Sequence, residues 1–346
     1  MKIALIGPGM MEVPPKGWGA VESIIWKYYE GLKGRGHDVH IFNSPHLAEV
    51  ARQINSGDFD FIHLQYDEYV GYFTKHLKKP FCVTSHYGYL KERSKWSVGY
   101  YSIFKDFLRA PGIIALSPEI AQLYKQEGYS GSLYILRNGV DVKEFAYKET
   151  GNSKVICLGK IEPRKRQAFL AKELDGKIAI DFIGPQVDEK FVTGVTTKQI
   201  GSWTREQVRT ELTHYSSLIL LSDGEAAPMV AIEALASGVS LVISQTASAN
   251  INPTLPFVKI VPNNIEGTML VKILKESIAQ NAFHREAIRQ YAEKFFDFPV
   301  ILEEYLTIIE NFASQTKRVF PKPYTDVRYF YSKAWRFMAK LYRQFR

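Results

Sequence analysis

The stretch Ser222–Gly238, SDGEAAPMVAIEALASG, decides how this chain is read. It follows the apolar run Ser217–Leu221, which reads as a buried strand. Pro228 suits a first helical turn, where a missing N–H leaves nothing unsatisfied. Met229–Ser237 tolerate a short helix, and Gly238 suits the position just past a helix end. The pattern is strand, acidic turn, helix. A helix start presents unpaired backbone N–H groups and a partial positive charge, both of which favour phosphate. Glu225 precedes that start and Glu233 lies inside the helix. An acid before a helix also stabilises its dipole by about 0.3–1 kcal/mol, which accounts for Glu225 but poorly for Glu233. A carboxylate at Glu233 can accept from two vicinal hydroxyls, as on a ribose, and one at Glu225 from the hydroxyls of a second sugar.

Outward from this stretch, strands and helices alternate. Strands are expected at 2–6, 38–42, 60–64, 80–85, 112–116 and 133–136, with a helix over 20–33 whose apolar residues recur at helical spacing. The pattern restarts with strands at 154–158, 178–183, 199–201, 217–221 and 239–244. A helix is expected over 167–174, and Thr204 with Gln207 three residues on forms a capping-box signal for another. Late helices are expected over 265–293 and 300–312. Alternation of this kind predicts an α/β chain with parallel, doubly wound sheets, and 346 residues suit two such domains. Ligands in open sheets bind beyond the carboxyl ends of the strands, so two Rossmann-like domains are expected to face across a cleft. The divisions expected are 1–140, 141–296, a helix over 297–316 packing back on the first domain, and a tail over 317–346.

Composition narrows the class. Hydrophobic residues are 46% and charged residues 23%, as in soluble globular proteins. Cys82 and Cys157 fall in apparent strands far apart, which suggests core residues in a reducing compartment. No Cys/His spacing suggests a metal. MKIALIG reads as a first strand and not as a signal peptide. The net charge of +8 is local: residues 317–346 hold nine Lys/Arg and one acid, leaving 35 bases and 35 acids elsewhere. A neutral body with a basic terminus does not point to nucleic acid.

Three further stretches sit at expected strand ends. Gly7–Gly19, GPGMMEVPPKGWG, does not fit the dinucleotide fingerprint, because Glu12 occupies its third glycine position and the helix starts only near Ala20. It reads as a flexible lip. Residues 159–166, GKIEPRKR, place four cations after a strand, as a diphosphate requires. His86 in VTSHYG ends another strand, whereas His37, His40 and His63 read as structural. Asp58, Asp60, Asp67 and Glu68 form no metal-binding DxD pattern.

These pieces together resemble retaining glycosyltransferases of the GT-B fold, glycosyltransferase family 4, over roughly residues 1–316. The most specific is Glu225-x7-Glu233 followed by EALASG, similar to the family's EAMAxG. LGKIEPRKRQ, PPKGWGAVE, TSH with His86, and NGVD at 138–141 follow in family order. The resemblance implies sugar transfer from a nucleotide-sugar donor with retention, with no cofactor and no metal. It implies catalytic roles for Glu225, His86 and Lys165. Donor binding falls to Lys160, Lys165, Gly19, Ala20, Ala227, Pro228, Met229, Val230 and Glu233, with the base near Gly201 and Ser202. Four positions depart from the pattern: Ala20 for a glycine, Lys160 for an arginine, Arg166 for a glycine, and Ala226-Ala227-Pro228 for Gly-Phe-Gly. An epimerase or phosphorylase of the same fold, or a non-catalytic sugar-nucleotide binder, are the competing expectations. The acceptor expected is a glycan or a lipid-linked glycan.

The tail completes the sequence reading. Over 326–346, Phe330, Ala334, Phe337, Met338, Leu341 and Phe345 fall on one helical stripe and Lys333, Arg336, Lys340 and Arg343 on another. This is the composition of an interfacial helix on anionic lipid, which would make the chain cytoplasmic and peripheral to a membrane. The alternative is a helix that packs on protein.

Overall fold

The computed structural model describes residues 1–16, 19–87, 90–314 and 326–344. Gly17 and Trp18 of the glycine-rich loop, residues 317–325 of the basic tail, Phe345 and Arg346 lie outside the described residues. The chain divides into two units, Met1–Leu136 with Leu302–Arg346, and Arg137–Ile301.

The first unit begins with β1 (Lys2–Ile6), α1 (Ala20–Gly34), β2 (Asp38–Phe42), α2 (Leu47–Ser56), β3 (Phe61–Leu64) and α3 (Val70–His76). It continues with β4 (Cys82–Val83), α4 (Leu90–Trp96), α5 (Val98–Phe107), β5 (Gly112–Ala115), α6 (Pro118–Gln126) and β6 (Ser132–Ile135). The six strands form one parallel sheet in the order β2-β1-β3-β4-β5-β6. Parallel neighbours need a crossover, and the helices that provide it cover the sheet, so the central strands are apolar throughout. Ile3, Ala4 and Leu5 of β1 are fully buried. The strand expected over 80–85 shrinks to Cys82–Val83. Backbone bonds flank it at Gly112 N to Phe81 O and Thr84 N to Leu64 O, so the chain stays beside its neighbours at both ends.

The second unit has β7 (Val155–Leu158), α7 (Gln167–Leu174), β8 (Ile180–Ile183), β9 (Thr197–Gly201) and α8 (Arg205–Glu211). Then come β10 (Ser217–Leu220), α9 (Met229–Ala236), β11 (Ser240–Ser244), β12 (Val258–Val261) and α10 (Gly267–Phe296). Its parallel sheet has the order β12-β11-β10-β7-β8-β9. β12 was not expected: it is an edge strand, only Val258 and Val261 are buried, and Lys259 interrupts the apolar run. The capping box forms, with Thr204 accepting from the Gln207 N–H while the Gln207 side chain accepts from the Thr204 N–H. Arg285 of α10 is buried and donates to the carbonyls of Lys148 and Tyr215, tying the long helix to the sheet's edge loops.

Two last helices follow, α11 (Phe298–Ala313) and α12 (Val327–Gln344). From Leu302 on, the chain belongs again to the first unit. Tyr305 of α11 bonds His63 of β3, and Phe312 meets Phe61 edge-on with ring centroids 5.8 Å apart. α12 lies along α5: Tyr329 OH donates to Asp106 at 2.7 Å, and Ser332 Oγ bonds Ser102 Oγ at 2.9 Å and the Ser102 N–H at 3.0 Å. The tail helix therefore packs on protein through Tyr329 and Ser332, outside both expected stripes, and through Lys333 and Arg336 of the basic stripe, which pair with Asp106 at 3.2 Å and Glu68 at 3.0 Å. The apolar stripe points the other way, and Phe330, Phe337 and Met338 are exposed. Cys82 and Cys157 are free and buried, and burial pushes the Cys157 thiol up to about 12.

Candidate active site

The deciding stretch folds as strand, turn and helix, with two adjustments. β10 ends at Leu220, and α9 starts at Met229, so Pro228 is the N-cap and not a first-turn residue. Pro228 carries no side chain able to cap, and the start of α9 has no side-chain cap. Gly238 takes φ +75 just past the helix end, the left-handed conformation expected of a C-terminal glycine.

The turn 222–225 is fixed from both sides. Asp223 N–H donates to the Arg164 carbonyl at 3.0 Å and Glu225 N–H to the Thr246 carbonyl at 3.0 Å. Ser222 and Ser244 exchange bonds of 3.0 and 2.9 Å. Against this frame stands the basic loop after β7. Arg164 Nη1 donates to Glu225 Oε1 at 3.0 Å, to Ser222 Oγ at 2.9 Å and to the Gly224 carbonyl, while its Nη2 donates to Glu162 Oε1 at 2.7 Å. Lys165 Nζ lies 3.9 Å from Glu225 Oε1. Glycine at 159 permits this approach, because a Cβ there would stand 2.9 Å from the ammonium and the residue holds φ +138. Gln167 spans the loop, donating to the Lys160 carbonyl at 2.9 Å and accepting from the Glu162 N–H at 3.2 Å.

Glu233 is buried in α9, and Arg205, the first residue of α8, donates to its Oε1 at 2.7 Å. The carboxylate raises the already high pKa of Arg205 further. Both Glu225 and Glu233 thus have one oxygen engaged by a cation. Among the described residues, the other oxygen of each has no partner.

The remaining expected residues are placed as follows. Lys160 is exposed, and its carbonyl accepts from Gln167. The Ala227 carbonyl accepts from Asn138 Nδ2 at 3.1 Å, which puts the NGVD stretch against the turn. Met229 and Val230 form the half-buried first turn of α9. Gly201 (φ +90) ends β9 and Ser202 follows it, both exposed. Arg166 takes φ +54 where the family pattern has glycine, and its guanidinium stacks 4.7 Å over Phe169.

In the first unit, Gly19 caps α1 and Ala20 begins it. The opening of the glycine-rich loop is pinned. Gly9 N–H donates to Asn43 Oδ1 at 2.8 Å, Asn43 Nδ2 to the Met11 carbonyl at 2.7 Å, and Tyr69 OH to the Pro8 carbonyl at 2.7 Å. Residues 8–11 of the expected lip are thus held to Asn43 and Tyr69. His86 Nε2 bonds Gln65 Oε1 at 2.9 Å, and burial lowers the ring's pKa to about 4. The four acids weighed as a metal pattern are each engaged: Asp58 by Lys79, Asp60 by the Lys2 N–H, Asp67 by Ser85 and Glu68 by Arg336. Among the described residues no three His, Cys, Asp or Glu side chains group as metal ligands would.

Sequence reasoning missed Arg164 as a partner of Glu225, Arg205 as the partner of Glu233, and Gln65 as the partner of His86. The four-cation run signalled Arg164 only as one of several. Nothing local marks Arg205 or Gln65.

Two parallel six-stranded sheets, each covered by helices, are the GT-B fold. Residues 43–144 match Glycosyltransferase Family 4, a segment that contains His86 and NGVD but not the Glu225–Glu233 stretch. No curated protein matches the sequence. Among solved structures, sucrose-phosphate synthase from Thermosynechococcus elongatus superimposes with a TM-score of 0.73 at 17% identity, over 91% of this chain and 100% of that one. Anabaena HepE in complex with UDP gives 0.71 at 14% identity over 90% and 100%. The lipopolysaccharide outer core galactosyltransferase WaaB gives 0.67 at 17% identity over 90% and 99%.

Proposed function

We propose that this chain transfers a sugar from a nucleotide-sugar donor to a glycan or glycolipid acceptor, with retention and without a metal. The observation that carries the proposal is the cluster at the end of β10. A guanidinium and an ammonium flank the turn before an uncapped helix start, and two acids each keep one oxygen open. Leaving-group charge develops on the donor's diphosphate, and fixed cations with helix N–H groups stabilise such charge without reorganising. Lys165 and the start of α9 have that role, with Lys160 as an exposed second cation. The open oxygen of Glu233 takes the ribose hydroxyls and that of Glu225 the hydroxyls of the transferred sugar. Ala226-Ala227-Pro228 line the sugar's side of the turn. His86 contributes a contact to a substrate sugar. No carboxylate is placed as an evident nucleophile, which favours departure and attack on the same face. HepE is described as a complex with UDP, so a uridine diphosphate donor is the first to try.

The deciding experiment is release of nucleoside diphosphate from UDP-, GDP-, ADP- and dTDP-sugars, with and without glycan or glycolipid acceptors. Acceptor-dependent release with an α-configured product from an α-donor supports the reading. Diphosphate-free epimerisation, phosphorolysis, or binding without turnover each overturns it.

We also propose that α12 rests on anionic lipid. Phe330, Trp335, Phe337 and Met338 are exposed, as is Lys340, while Lys333 and Arg336 pair with Asp106 and Glu68. No helix among the described residues is long and apolar enough to cross a membrane. Co-sedimentation with phosphatidylserine vesicles should be lost in a Phe337→Asp/Met338→Asp variant; unchanged binding would refute the docking.

A further inference from the structure

Side chains from β3, the loops after β3 and β4, and α11 form one hydrogen-bonded chain whose protons can be placed by elimination. With the Thr84 proton assigned to the Ile114 carbonyl, which lies 3.2 Å from Oγ1 and can only accept, the Thr84 hydroxyl oxygen accepts from His63. It lies 2.9 Å from His63 Nε2, which must therefore carry a hydrogen. Burial lowers the pKa of His63 to about 3, so the ring is neutral and its Nδ1 is a bare lone pair. That lone pair receives Tyr305 OH at 2.6 Å and the Gln65 amide at 3.0 Å. An acceptor is the wrong group to face a lone pair, so Gln65 turns its NH₂ to His63. Its Oε1 is thereby aimed at His86 Nε2, 2.9 Å away, which must be N–H. His63 and Gln65 are each 1% exposed, so neither has water as an alternative partner.

We propose that Gln65 is a positioning residue that fixes His86 as the neutral Nε2–H tautomer, so that His86 Nδ1 accepts a hydrogen bond from a sugar hydroxyl. Among the described residues Nδ1 has no partner. In this tautomer His86 cannot donate through Nδ1 to a leaving diphosphate and has no charge to offer it. The tautomer follows from these hydrogen bonds and from the neutrality of the buried His63 ring, whereas its ligand rests on the glycosyl-transfer reading above.

The test uses the full chain labelled with ¹⁵N-histidine, the His86 signal being assigned by its absence in His86→Ala. Nitrogen shifts at pH 7 should show a protonated Nε2 and a pyridine-like Nδ1. Gln65→Leu should average the two tautomers. Gln65→Glu should restore the wild-type pattern, because burial keeps the acid protonated, so that its O–H donates to His63 and its other oxygen faces His86. A protonated Nδ1 in the wild type, or an unchanged tautomer in Gln65→Leu with a native melting transition, overturns the proposal. Should Gln65→Leu not fold, the wild-type and Gln65→Glu spectra decide. For the ligand, kcat/KM for the donor that turns over should fall about tenfold in Gln65→Leu, the worth of one hydrogen bond. It should fall no further when Gln65→Leu is added to His86→Ala. A full additional loss in the double variant overturns the positioning role. Absence of transfer with every donor, beside the predicted spectra, overturns the sugar ligand and the transfer reading while leaving the tautomer assignment in place.

Discussion

The two units present polar side chains at the same topological place, the carboxyl ends of parallel strands, but in opposite electrostatic states. After β7 and β10 the groups are charged: Arg164 and Lys165 beside Glu225, and Arg205 on Glu233. At the ends of β3 and β4 the groups joined to His86 are neutral, namely Gln65, His63 and Thr84 with Tyr305 behind them, and the acids of the same loop, Asp67 and Glu68, turn to Ser85 and Arg336 instead. The contrast has a physical origin. Charges survive near a surface when each has an opposite partner and some solvent, and Arg164 and Arg205 both keep exposed surface. His63 is buried among aromatic rings, where a charge would be expensive and only a neutral tautomer is tolerated. The charged set suits a diphosphate. The neutral set suits hydroxyls.

The largest expected effect tests the charged side. Lys165→Ala and Glu225→Ala should each lower transfer about 10²–10³-fold, as removal of a preorganised transition-state contact does, measured as nucleoside diphosphate release. Losses no larger than the tenfold expected of Gln65→Leu would erase the distinction between the units.

Acid should break the neutral side first. Because the folded pKa of His63 is lowered, the unfolded chain binds the extra proton and the folded chain does not. Stability is therefore complete above about pH 6.5 and falls as pH drops toward the folded value. Between pH 7 and 4.5 His63 should account for a loss of about 2–3 kcal/mol and His86, lowered to about 4, for a similar amount, read from urea unfolding across that range. His63→Gln should remove about half of the slope, and an equal slope in that variant would show that His63 carries none of the dependence.

A smaller change sharpens the charged side. Arg205→Ala leaves Glu233 buried without its cation and should cost about 1–2 kcal/mol of stability, less than a fully buried pair because Arg205 is partly exposed. Adding Glu233→Gln should return most of it. A destabilisation that persists in the double variant would mean that Arg205 acts through packing instead.

The smallest expected effect concerns Arg166. Glycine there would relieve the left-handed backbone by about 1 kcal/mol and lose a stacked cation worth about 0.5–1 kcal/mol. Arg166→Gly should thus leave the melting temperature within a degree or two. A large fall would show that the Phe169 contact holds the basic loop in place.

Much of the fold was legible because it is written in local patterns. Apolar runs of four or five residues between glycines gave most strands within a residue or two, and Thr204 with Gln207 marked a helix start that forms as expected. The edge strand β12 escaped because burial at its two ends alone leaves no periodic signal. The Glu225–Glu233 spacing is likewise local, so both acids could be singled out from the chain alone. Which cation meets which acid is not local. Arg164 lies 61 residues from Glu225, and Arg205 lies 28 from Glu233. The tail shows the same limit: its amphipathic pattern was evident, but the face that packs, through Tyr329 and Ser332, is chosen by Asp106 and Ser102 more than 200 residues earlier.

What the sequence alone determined, then, is the order of strands and helices, the acidic turn before α9 and the neutral body with a basic end, since each depends on residues adjacent in the chain. Only the tertiary structure decided the protonation of the groups. The state of His86 is set through Gln65 by His63, and that of His63 by Thr84 and by Tyr305, 242 residues further along. A proton's position depends on which lone pairs face it, and those are brought together by folding.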